Sequence, residues 1–459
     1  MRDGQKLFKD PIYDLIYFDK VKDEAILKII ESDEFQRLRR IRQLGLSSYT
    51  YSSTNHDRFS HSIGVCFLAG LFVDNLNFET SYVNETGKKI LLDRDETKLL
   101  VRLAAILHDI GHGPFSHAFE RAIKKKAEKF IKPGIQIHED YSIKIINSPH
   151  IKAIIENIDN PKFKEFGVKW ITDILAGTFT GSKWVKEIIS SQFDADRIDY
   201  LLRDAYMSGV KYAGFDWNWI FRNMFIGDIP IGGDEHEEST KEGILIDGNK
   251  GIHSLESFIV SRYHMYEQVY FHKTTRGFEA IVNSIFKRLN FLIDNNEITS
   301  EDFLGDYFLN FLKDYNSIPD YLQLDDYYMI SHFNHWSKNC KDYVLKELCN
   351  CFVNRKPFKM VKVITGDNAM ESLQKYSELK DVYKDRMKDH FDYFFLEDDY
   401  LNNPYKDNYL LSKSPGASER IWLDIRGKPK DLSVESKIIN SLRNNVLEVK
   451  RIYVHRNFL

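Results

Sequence analysis

A short histidine-rich segment that follows a helical pattern constrains this chain more than any other feature. Residues 98–108 repeat apolar side chains at helical spacing, and the pattern stops at a Gly-His-Gly-Pro sequence at residues 111–114, which cannot readily continue a helix. His108 and Asp109 therefore lie where the backbone leaves the helix, and there both side chains can turn toward one ion. An imidazole with a carboxylate suits a transition metal. The plainer interpretation is a polar helix cap with histidines nearby.

Other parts of the sequence carry residues that suit the same chemistry. His112 and His117 follow the His-Asp pair within nine residues. Asp196, Tyr200 and Asp204 are spaced at i, i+4 and i+8, so one helical face would present a carboxylate, a phenol and a carboxylate. Alone, that face is as well explained by a solvated acidic surface paired with arginines. A lone histidine such as His61 is likewise more often a hydrogen-bonded core residue than a ligand.

Composition sets the class of protein but says little about function. With 459 residues, 43% of them hydrophobic, the chain can bury a sizeable core. The first ten residues are too polar for a signal peptide, and no apolar run approaches the roughly 18 residues of a membrane span. The four cysteines are too few and too unevenly placed for a disulfide framework. We expect a cytoplasmic protein without a membrane partner, and a net charge of −4 gives no reason to expect a nucleic-acid partner.

The hydrophobic pattern predicts a mainly helical chain with few strands. One helix is expected from Ala25 to Gly45, and a second is expected to begin near His61. Further helical patterns lie at residues 140–157, 184–206, 252–293, 300–315 and 337–353, and strand-like stretches lie at residues 243–247, 420–424 and 451–454. Residues 232–241 read as a polar loop or hairpin tip.

Taken in order, these elements resemble the HD superfamily, whose pattern is a histidine, a His-Asp pair and a later aspartate. The match is closer to one branch, the deoxynucleoside triphosphate triphosphohydrolases, which include the sterile-alpha-motif and HD-domain dNTPases. The segments that carry this resemblance are residues 10–12, 35–45, 58–65, 108–120, 138–139, 196–204 and 262–273. The resemblance implies a mainly α-helical HD-domain fold with a smaller C-terminal α+β lobe and a few short strands. We expect residues 1–290 to form the catalytic core and residues 291–459 a lobe for packing, oligomerisation or regulation.

The resemblance also implies a metal centre and a set of catalytic groups. The metal ligands would be His61, His108, Asp109 and Asp196, holding a divalent transition metal such as Mn, Fe, Zn or Ni, with room for Mg at a second site. His117 would protonate the departing 5′ oxygen, and His112 and His138 would orient the phosphate or the nucleophile. Arg58 would meet the α-phosphate.

Further residues resemble the substrate contacts of this branch. The triphosphate would lie on Arg197, Tyr200, Arg262 and Tyr266, while Gln43, Leu44, Asp204 and Tyr270 would hold the 3′-hydroxyl and exclude a ribose. The spacing of Arg262, Tyr266 and Tyr270 places one stripe on a helix, which also suits an ordinary amphipathic helix.

A regulatory nucleotide is expected as well, at positions that only partly match the family. The residues that correspond to its binding sites are Glu31, Gln36, Arg39, Lys250, His272 and Lys273. Trp219, Gly248 and Gln268 stand where arginines hold the phosphates of the activator in the family. In the substrate site, Phe271 stands where a glutamine lies near the base, so the base preference need not transfer. The resemblance implies a homo-oligomer, either a dimer or a tetramer.

The sequence thus predicts metal-dependent hydrolysis of deoxynucleoside triphosphates to deoxynucleoside and inorganic triphosphate, under nucleotide control. The alternative is an HD-type phosphodiesterase or nucleotidase acting on other nucleotides, against which stand the three arginines Arg58, Arg197 and Arg262. A nucleotide-binding oligomer with a vestigial site is opposed by the four filled ligand positions, and single-stranded nucleic-acid binding by the lack of a basic stripe.

Overall fold

The computed structural model of the chain describes residues 4–131, 135–231, 239–365, 369–402, 420–443 and 447–459. The helices in this part are α1 (Glu24–Glu31), α2 (Asp33–Gln36), α3 (Arg58–Asn75), α4 (Arg94–Leu107), α5 (His117–Ala127), α6 (Ile137–Ile146), α7 (Pro149–Glu156), α8 (Pro161–Ala176), α9 (Trp184–Glu187), α10 (Ala195–Ser208), α11 (Trp217–Arg222), α12 (Gly248–Met265), α13 (Lys273–Asp294), α14 (Tyr307–Lys313), α15 (Ile318–Tyr321), α16 (Asp326–Asn339), α17 (Tyr343–Val353), α18 (Ala369–Met387), α19 (Phe391–Phe394), α20 (Leu432–Glu435) and α21 (Lys437–Arg443). The strands are β1 (Gln5–Asp10), β2 (Asp14–Asp19), β3 (Thr80–Val83), β4 (Lys89–Leu92), β5 (Met224–Pro230), β6 (Thr240–Asp247), β7 (Lys359–Thr365), β8 (Phe395–Asn402), β9 (Trp422–Ile425), β10 (Lys428–Asp431) and β11 (Leu447–Val454).

The strands form small sheets around the helices. β1 and β2 make an antiparallel hairpin, as do β3 and β4, and the larger sheets have the orders β10-β9-β6-β5 and β7-β11-β8. In the four-stranded sheet β6 and β9 run parallel, with Leu245 opposite Trp422. The three predicted strands correspond to β6, β9 and β11, although β9 begins at Trp422, two residues later than expected. The predicted fold class, mainly α-helical with a smaller α+β part, is confirmed too.

The single helix expected from Ala25 to Gly45 is wrong. Ser32 ends α1 and caps α2 by accepting a hydrogen bond from the amide of Phe35, and a 3-10 turn at Arg37–Arg40 leads to an extended Ile41. The amide of Gln43 then donates to the carbonyl of His56 at 3.0 Å, so this segment pairs with the residues before α3. Tertiary pairing therefore overrides the helical period. It also carries residues 43–44 to the start of α3.

The other long helical patterns are correct in kind but interrupted. Pro149 begins α7 after a break from α6, and Asp194 and Asp342 cap α10 and α17. Residues 252–293 divide into α12, a π-helical turn at Tyr266–Tyr270, and α13, and residues 300–315 into a 3-10 turn and α14. Polar caps and proline set these breaks, which a hydrophobic period alone does not register. The predicted loop at residues 232–241 lies mostly outside the described residues, and Thr240 already begins β6.

The described residues form two large apolar cores. The first joins the N-terminal hairpin to α3, α4, α8, α10 and α12 and includes Trp170 and Trp184, with Leu423 of β9 and the preceding Ile421 packed into it. The second joins α5 and α6 to α13, α14, α16, α17, β8 and β11 around Trp336. The division at residue 290 stays a prediction. Within the described ranges, none of the helices is both long and apolar enough to cross a membrane.

Candidate active site

Three helices bring the predicted metal ligands together. α3 carries His61 near its start, and Asp196 lies in the first turn of α10. His108 caps the end of α4, and Asp109 is next in the chain. α3 packs against both other helices, and each helix begins at a capping aspartate. The start of α3 and α10 and the end of α4 therefore meet at one place.

The imidazoles and carboxylates converge with their metal-binding atoms. Nε2 of His61 lies 3.0 Å from Oδ1 of Asp196 and 3.6 Å from Oδ2 of Asp109. Nε2 of His108 lies 3.3 Å from Oδ1 of Asp109 and 3.6 Å from Oδ1 of Asp196. Both Nε2 atoms are buried and make no hydrogen bond of acceptable geometry. Buried polar atoms are nearly always satisfied, so two imidazole nitrogens facing two carboxylates fit a divalent transition metal.

The electrostatics of this cluster favour positive charge. Burial alone would lower the pKa of His61, but the nearby carboxylates of Asp196 and Asp199 outweigh it and raise that pKa to about 10. Burial would raise the pKa of Asp109, but the Arg58 guanidinium and the neighbouring histidines hold it well below its usual range. A cation among these residues would meet carboxylates that are already ionised.

The Nδ1 atoms of His61 and His108, on the side of each ring away from the cluster, have hydrogen-bond partners as well. Nδ1 of His61 lies 2.8 Å from Oδ2 of the fully buried Asp199, and Nδ1 of His108 lies 2.7 Å from the carbonyl oxygen of Ala105. With Nδ1 donating, Nε2 presents its lone pair to the cluster, which is how metal-binding histidines are usually oriented. Asp199 was not predicted from the sequence, although its position three residues after Asp196 on a helix was a usable signal.

A second histidine cluster surrounds the carboxylate of Glu120, which was not predicted from the sequence either. Oε1 of Glu120 lies 3.1 Å from Nδ1 of His112 and 3.0 Å from Nδ1 of His138, and Oε2 lies 3.3 Å from Nδ1 of His117. The rings of His112 and His138 stack with centroids 4.0 Å apart. The predicted catalytic histidines are therefore brought together by one acid. Its place three residues after His117, on the helix that His117 begins, could have revealed it.

These groups differ in their preferred protonation. Burial and the positive charges of Arg58 and His138 lower the pKa of His112 to about 4. Burial would lower the pKa of His138 as well, but the attraction of Glu120 outweighs it and raises that pKa. Burial would raise the pKa of Glu120, but His138 and His117 hold it well below its usual range. Glu120 is thus an anion between two different histidines: His112, whose pKa is lowered, and His138, whose pKa is raised.

Arg58 lies between the two clusters. Its Nη1 donates to Asp109 and its Nε donates to Oγ of Ser116 at 2.9 Å. Ser116 and the preceding Phe115 have φ values of 54° and 57°, a backbone conformation that residues other than glycine rarely adopt. This strained turn is fixed by Asp326, whose Oδ1 accepts from the Phe115 amide at 2.7 Å and whose Oδ2 accepts from the Arg42 amide at 3.1 Å.

The predicted triphosphate contacts lie on α10 and α12 and in the turn that follows α12. Nη1 of Arg262 donates to Oε1 of the buried Gln192 at 2.7 Å, and Nε of Arg197 donates to the carbonyl oxygen of Ser191 at 2.5 Å. The hydroxyl of Tyr200 and Nε of Arg262 are buried and make no hydrogen bond. The Tyr266 ring centroid lies 5.6 Å from the guanidinium carbon of Arg262.

The predicted sugar contacts form a separate hydrogen-bonded group. Oδ2 of Asp204 accepts from the hydroxyl of Tyr270 at 2.9 Å, and Oδ1 lies 2.7 Å from Nε2 of His56. His56 was not foreseen, and its carbonyl also holds the amide of Gln43. Oε1 of Gln43 is buried and accepts no hydrogen bond, and Leu44 begins the 3-10 turn Gly45–Tyr49 as its cap.

The predicted regulatory residues lie on two parts of the fold. Glu31 ends α1, Gln36 ends α2, and Arg39 donates to Oε1 of Gln36 at 2.9 Å while its guanidinium lies over the Phe59 ring. In the other part Lys250 pairs with Asp247 at 3.2 Å, and His272 caps α13, which Lys273 begins. Their binding of a nucleotide stays a prediction.

Comparison with known proteins gives the site a family context. Residues 58–204 match the sequence profile described as the HD domain, and residues 236–306 match one described as an HD associated region. YwfO of Bacillus subtilis is 31% identical over 455 residues, which cover 99% of this chain and 93% of YwfO. The Dictyostelium discoideum homologue of the deoxynucleoside triphosphate triphosphohydrolase SAMHD1 is 29% identical over 282 residues, covering 60% of this chain and 48% of that protein. A crystal structure of an Aquifex aeolicus protein is similar with a TM-score of 0.70 and 27% identity, covering 99% of this chain and 97% of that one.

Proposed function

Because this chain belongs to the HD-domain family and is a dNTPase-like member of it, we propose that it hydrolyses deoxynucleoside triphosphates to deoxynucleoside and inorganic triphosphate. The observation that carries the proposal is the convergence of two buried, unbonded imidazole Nε2 atoms on two carboxylates, beside a carboxylate that holds three further histidines. The first cluster suits phosphate activation and the second suits proton transfer. A hydrolase needs both within reach of one bond.

The first cluster would hold the metal. His61, His108, Asp109 and Asp196 would bind one divalent transition metal ion, which supplies activation of a water molecule and polarisation of a phosphate oxygen when bound. Asp199 and the carbonyl of Ala105 keep both rings in the tautomer that this requires.

The second cluster would move a proton at the leaving group. In the proposed reaction the oxygen of water joins the α-phosphorus, the bond from that phosphorus to the 5′ oxygen breaks, and the 5′ oxygen takes a proton as it leaves. His117 is the accessible histidine of the cluster, with its side chain 56% exposed, so it is the one placed to donate that proton. Glu120 steadies the imidazolium through Nδ1. His112 and His138 would orient the phosphate.

The remaining polar groups would bind the rest of the substrate. Arg197, Arg262 and Tyr200 carry donors toward the expected triphosphate, and fixed positive charge stabilises the phosphate oxygens as charge builds on them. Arg58, tied to Asp109 and Ser116, would lie nearest the α-phosphate. The Asp204, Tyr270 and Gln43 group would read the 3′-hydroxyl, with Leu44 packed against the 2′ carbon.

The proposal extends to regulation and assembly. The partial match at Gln36, Arg39 and Lys250 supports an activating nucleotide, and the family resemblance supports a homo-oligomer of two or four chains. We assign residues 291–459 to packing, assembly or regulation.

Product analysis tests the proposal. Purified protein with manganese is incubated with each deoxynucleoside triphosphate, singly and mixed, and the products are separated by anion exchange. We expect deoxynucleoside and triphosphate, abolished in a His108→Ala/Asp109→Ala variant and retained in His150→Ala, whose exposed ring pairs only with Glu34 among the contacts described. Release of monophosphate or diphosphate instead would point to the phosphodiesterase or nucleotidase alternative.

A further inference from the structure

A buried chain of ion pairs runs from the N-terminal hairpin to His61. Asp10, the last residue of β1, accepts a hydrogen bond from Nη1 of Arg203 at 2.8 Å through Oδ2. Arg203 in turn donates from Nε and Nη2 to both oxygens of Asp199, at 2.8 and 2.9 Å. Asp199 then holds Nδ1 of His61 at 2.8 Å. Four charged or titratable groups are thereby linked in one line.

The chain of ion pairs is built into the packing of the helices. The side chains of Arg203, Asp199 and His61 are each at most 1% exposed. A Cβ atom on Gly64 of α3 would lie 1.9 Å from Oδ1 of Asp199 and 2.6 Å from Nη2 of Arg203, so only glycine admits this pair against α3. Buried charges are costly unless each has its partner, so loss of one member disturbs the others.

The hairpin end of the chain is organised by the same carboxylate. Oδ1 of Asp10 accepts from the amides of Ile12 at 2.8 Å and Tyr13 at 3.1 Å, which fixes the turn between β1 and β2. Phe18 anchors β2 in the first core. Asp10 is therefore the point at which the hairpin turn meets the polar interior, and the turn cannot move without moving the partner of Arg203.

We propose that Asp10, Arg203 and Asp199 are positioning residues for His61, so that docking of the hairpin turn and metal binding strengthen each other. This inference rests on the proposed metal ligands. Asp199 keeps a proton on Nδ1 and so leaves the Nε2 lone pair free for the metal. Without Asp10, the charge of Arg203 would be balanced by Asp199 alone, which would weaken the hold of Asp199 on His61 and add net positive charge near the cation.

Metal affinity gives the first test, without any substrate. Manganese affinity is measured by competition with a fluorescent chelator for the wild type, Asp199→Asn, Asp10→Asn and the control Asp14→Asn. Asp14 lies in the same turn, exposed, and tolerates asparagine at its φ of 62°. We expect Asp199→Asn to weaken binding about 10–100-fold and Asp10→Asn about 5-fold or more, with Asp14→Asn unchanged. Equal affinity in all four proteins would overturn the inference.

Hydrogen exchange gives a second test, whose main measurement is made on the wild-type protein. Linkage is reciprocal: if docking of the hairpin turn raises the affinity for the metal by some factor, metal binding favours the docked turn by the same factor. We therefore expect saturating manganese to slow exchange of the Ile12 and Tyr13 amides in the wild type, and the slowing to disappear in Asp199→Asn.

The outcomes separate this inference from the proposed function. Manganese binding without slowed exchange, and without an effect of Asp10→Asn, contradicts the inference and leaves the triphosphohydrolase proposal standing. Linked binding in a protein that releases no triphosphate supports the inference and contradicts that activity. A wild-type protein that binds no manganese or other divalent transition metal overturns the inference together with the ligands it rests on.

Discussion

Oε2 of Glu120 lies 3.3 Å from Nδ1 of His117, the most accessible ring of its cluster. A carboxylate in this position fixes the orientation of the ring, which a histidine needs to act as a general acid. The pKa of Glu120 is held well below its usual range by His138 and His117 against the effect of burial, so Glu120 stays ionised during the reaction.

Glu120→Gln should therefore slow turnover without a comparable loss of substrate binding. We expect kcat to fall about 10–100-fold because the amide supports the imidazolium poorly. The loss should be much smaller with a substrate in which 4-nitrophenol replaces the nucleoside as the alcohol esterified to the α-phosphate. The 4-nitrophenolate ion leaves without needing a proton. Glu128→Gln, at the opposite end of the same helix and paired only with Lys124 among the contacts described, is the control. Wild-type turnover in Glu120→Gln, or in His117→Ala, would contradict the assigned acid.

Much of the candidate site was predictable because its signals are local. His108 and Asp109 stand where a helical period ends at glycine and proline, and the spacing of Asp196, Tyr200 and Asp204 holds in α10. The ordered resemblance of these segments added His61. Their catalytic roles stay predictions, but the structure places the side chains together.

What the sequence did not predict depends on tertiary contacts. The helix expected from Ala25 to Gly45 breaks because the segment after Ile41 pairs with residues near His56, a contact that no local period encodes. Asp326 reaches the site from a helix more than 200 residues further along the chain. Glu120 and Asp199 were accessible through helical spacing, but a lone acid three residues from a histidine is too common to stand out.

His56 should matter for recognition of the sugar. Its ring lies 2.7 Å from Asp204, and loss of a hydrogen bond to a charged group costs about 1.5–3 kcal/mol. We expect His56→Ala to raise KM for deoxynucleoside triphosphates about 10-fold or more and to reduce the preference over the 2′,3′-dideoxy analogue, with partial rescue in His56→Gln. His253→Ala, an exposed ring near Glu256, is the control. An unchanged preference for the 3′-hydroxyl in His56→Ala would disprove this role.

Asp326 should make stability depend on pH. Burial raises the pKa of this carboxyl to about 6 despite the two backbone amides that it accepts from. Because the folded pKa exceeds the unfolded one, the folded chain holds the proton more tightly, and this stability is complete below about pH 4 and lost as the pH rises through 6. The free energy of unfolding of the wild type, measured by urea denaturation, should rise relative to that of Asp326→Asn as the pH falls from 7 to 4, by about 2–3 kcal/mol in all. Parallel pH profiles for the two proteins would contradict the raised pKa.

The most direct test of the central claim is hydrolysis in ¹⁸O-labelled water with manganese and a mixture of the four deoxynucleoside triphosphates. Attack at the α-phosphorus with departure of the 5′ oxygen predicts intact triphosphate carrying one ¹⁸O atom and an unlabelled deoxynucleoside, as read by mass spectrometry. Diphosphate with labelled or unlabelled monophosphate, or label in the deoxynucleoside, would contradict the account.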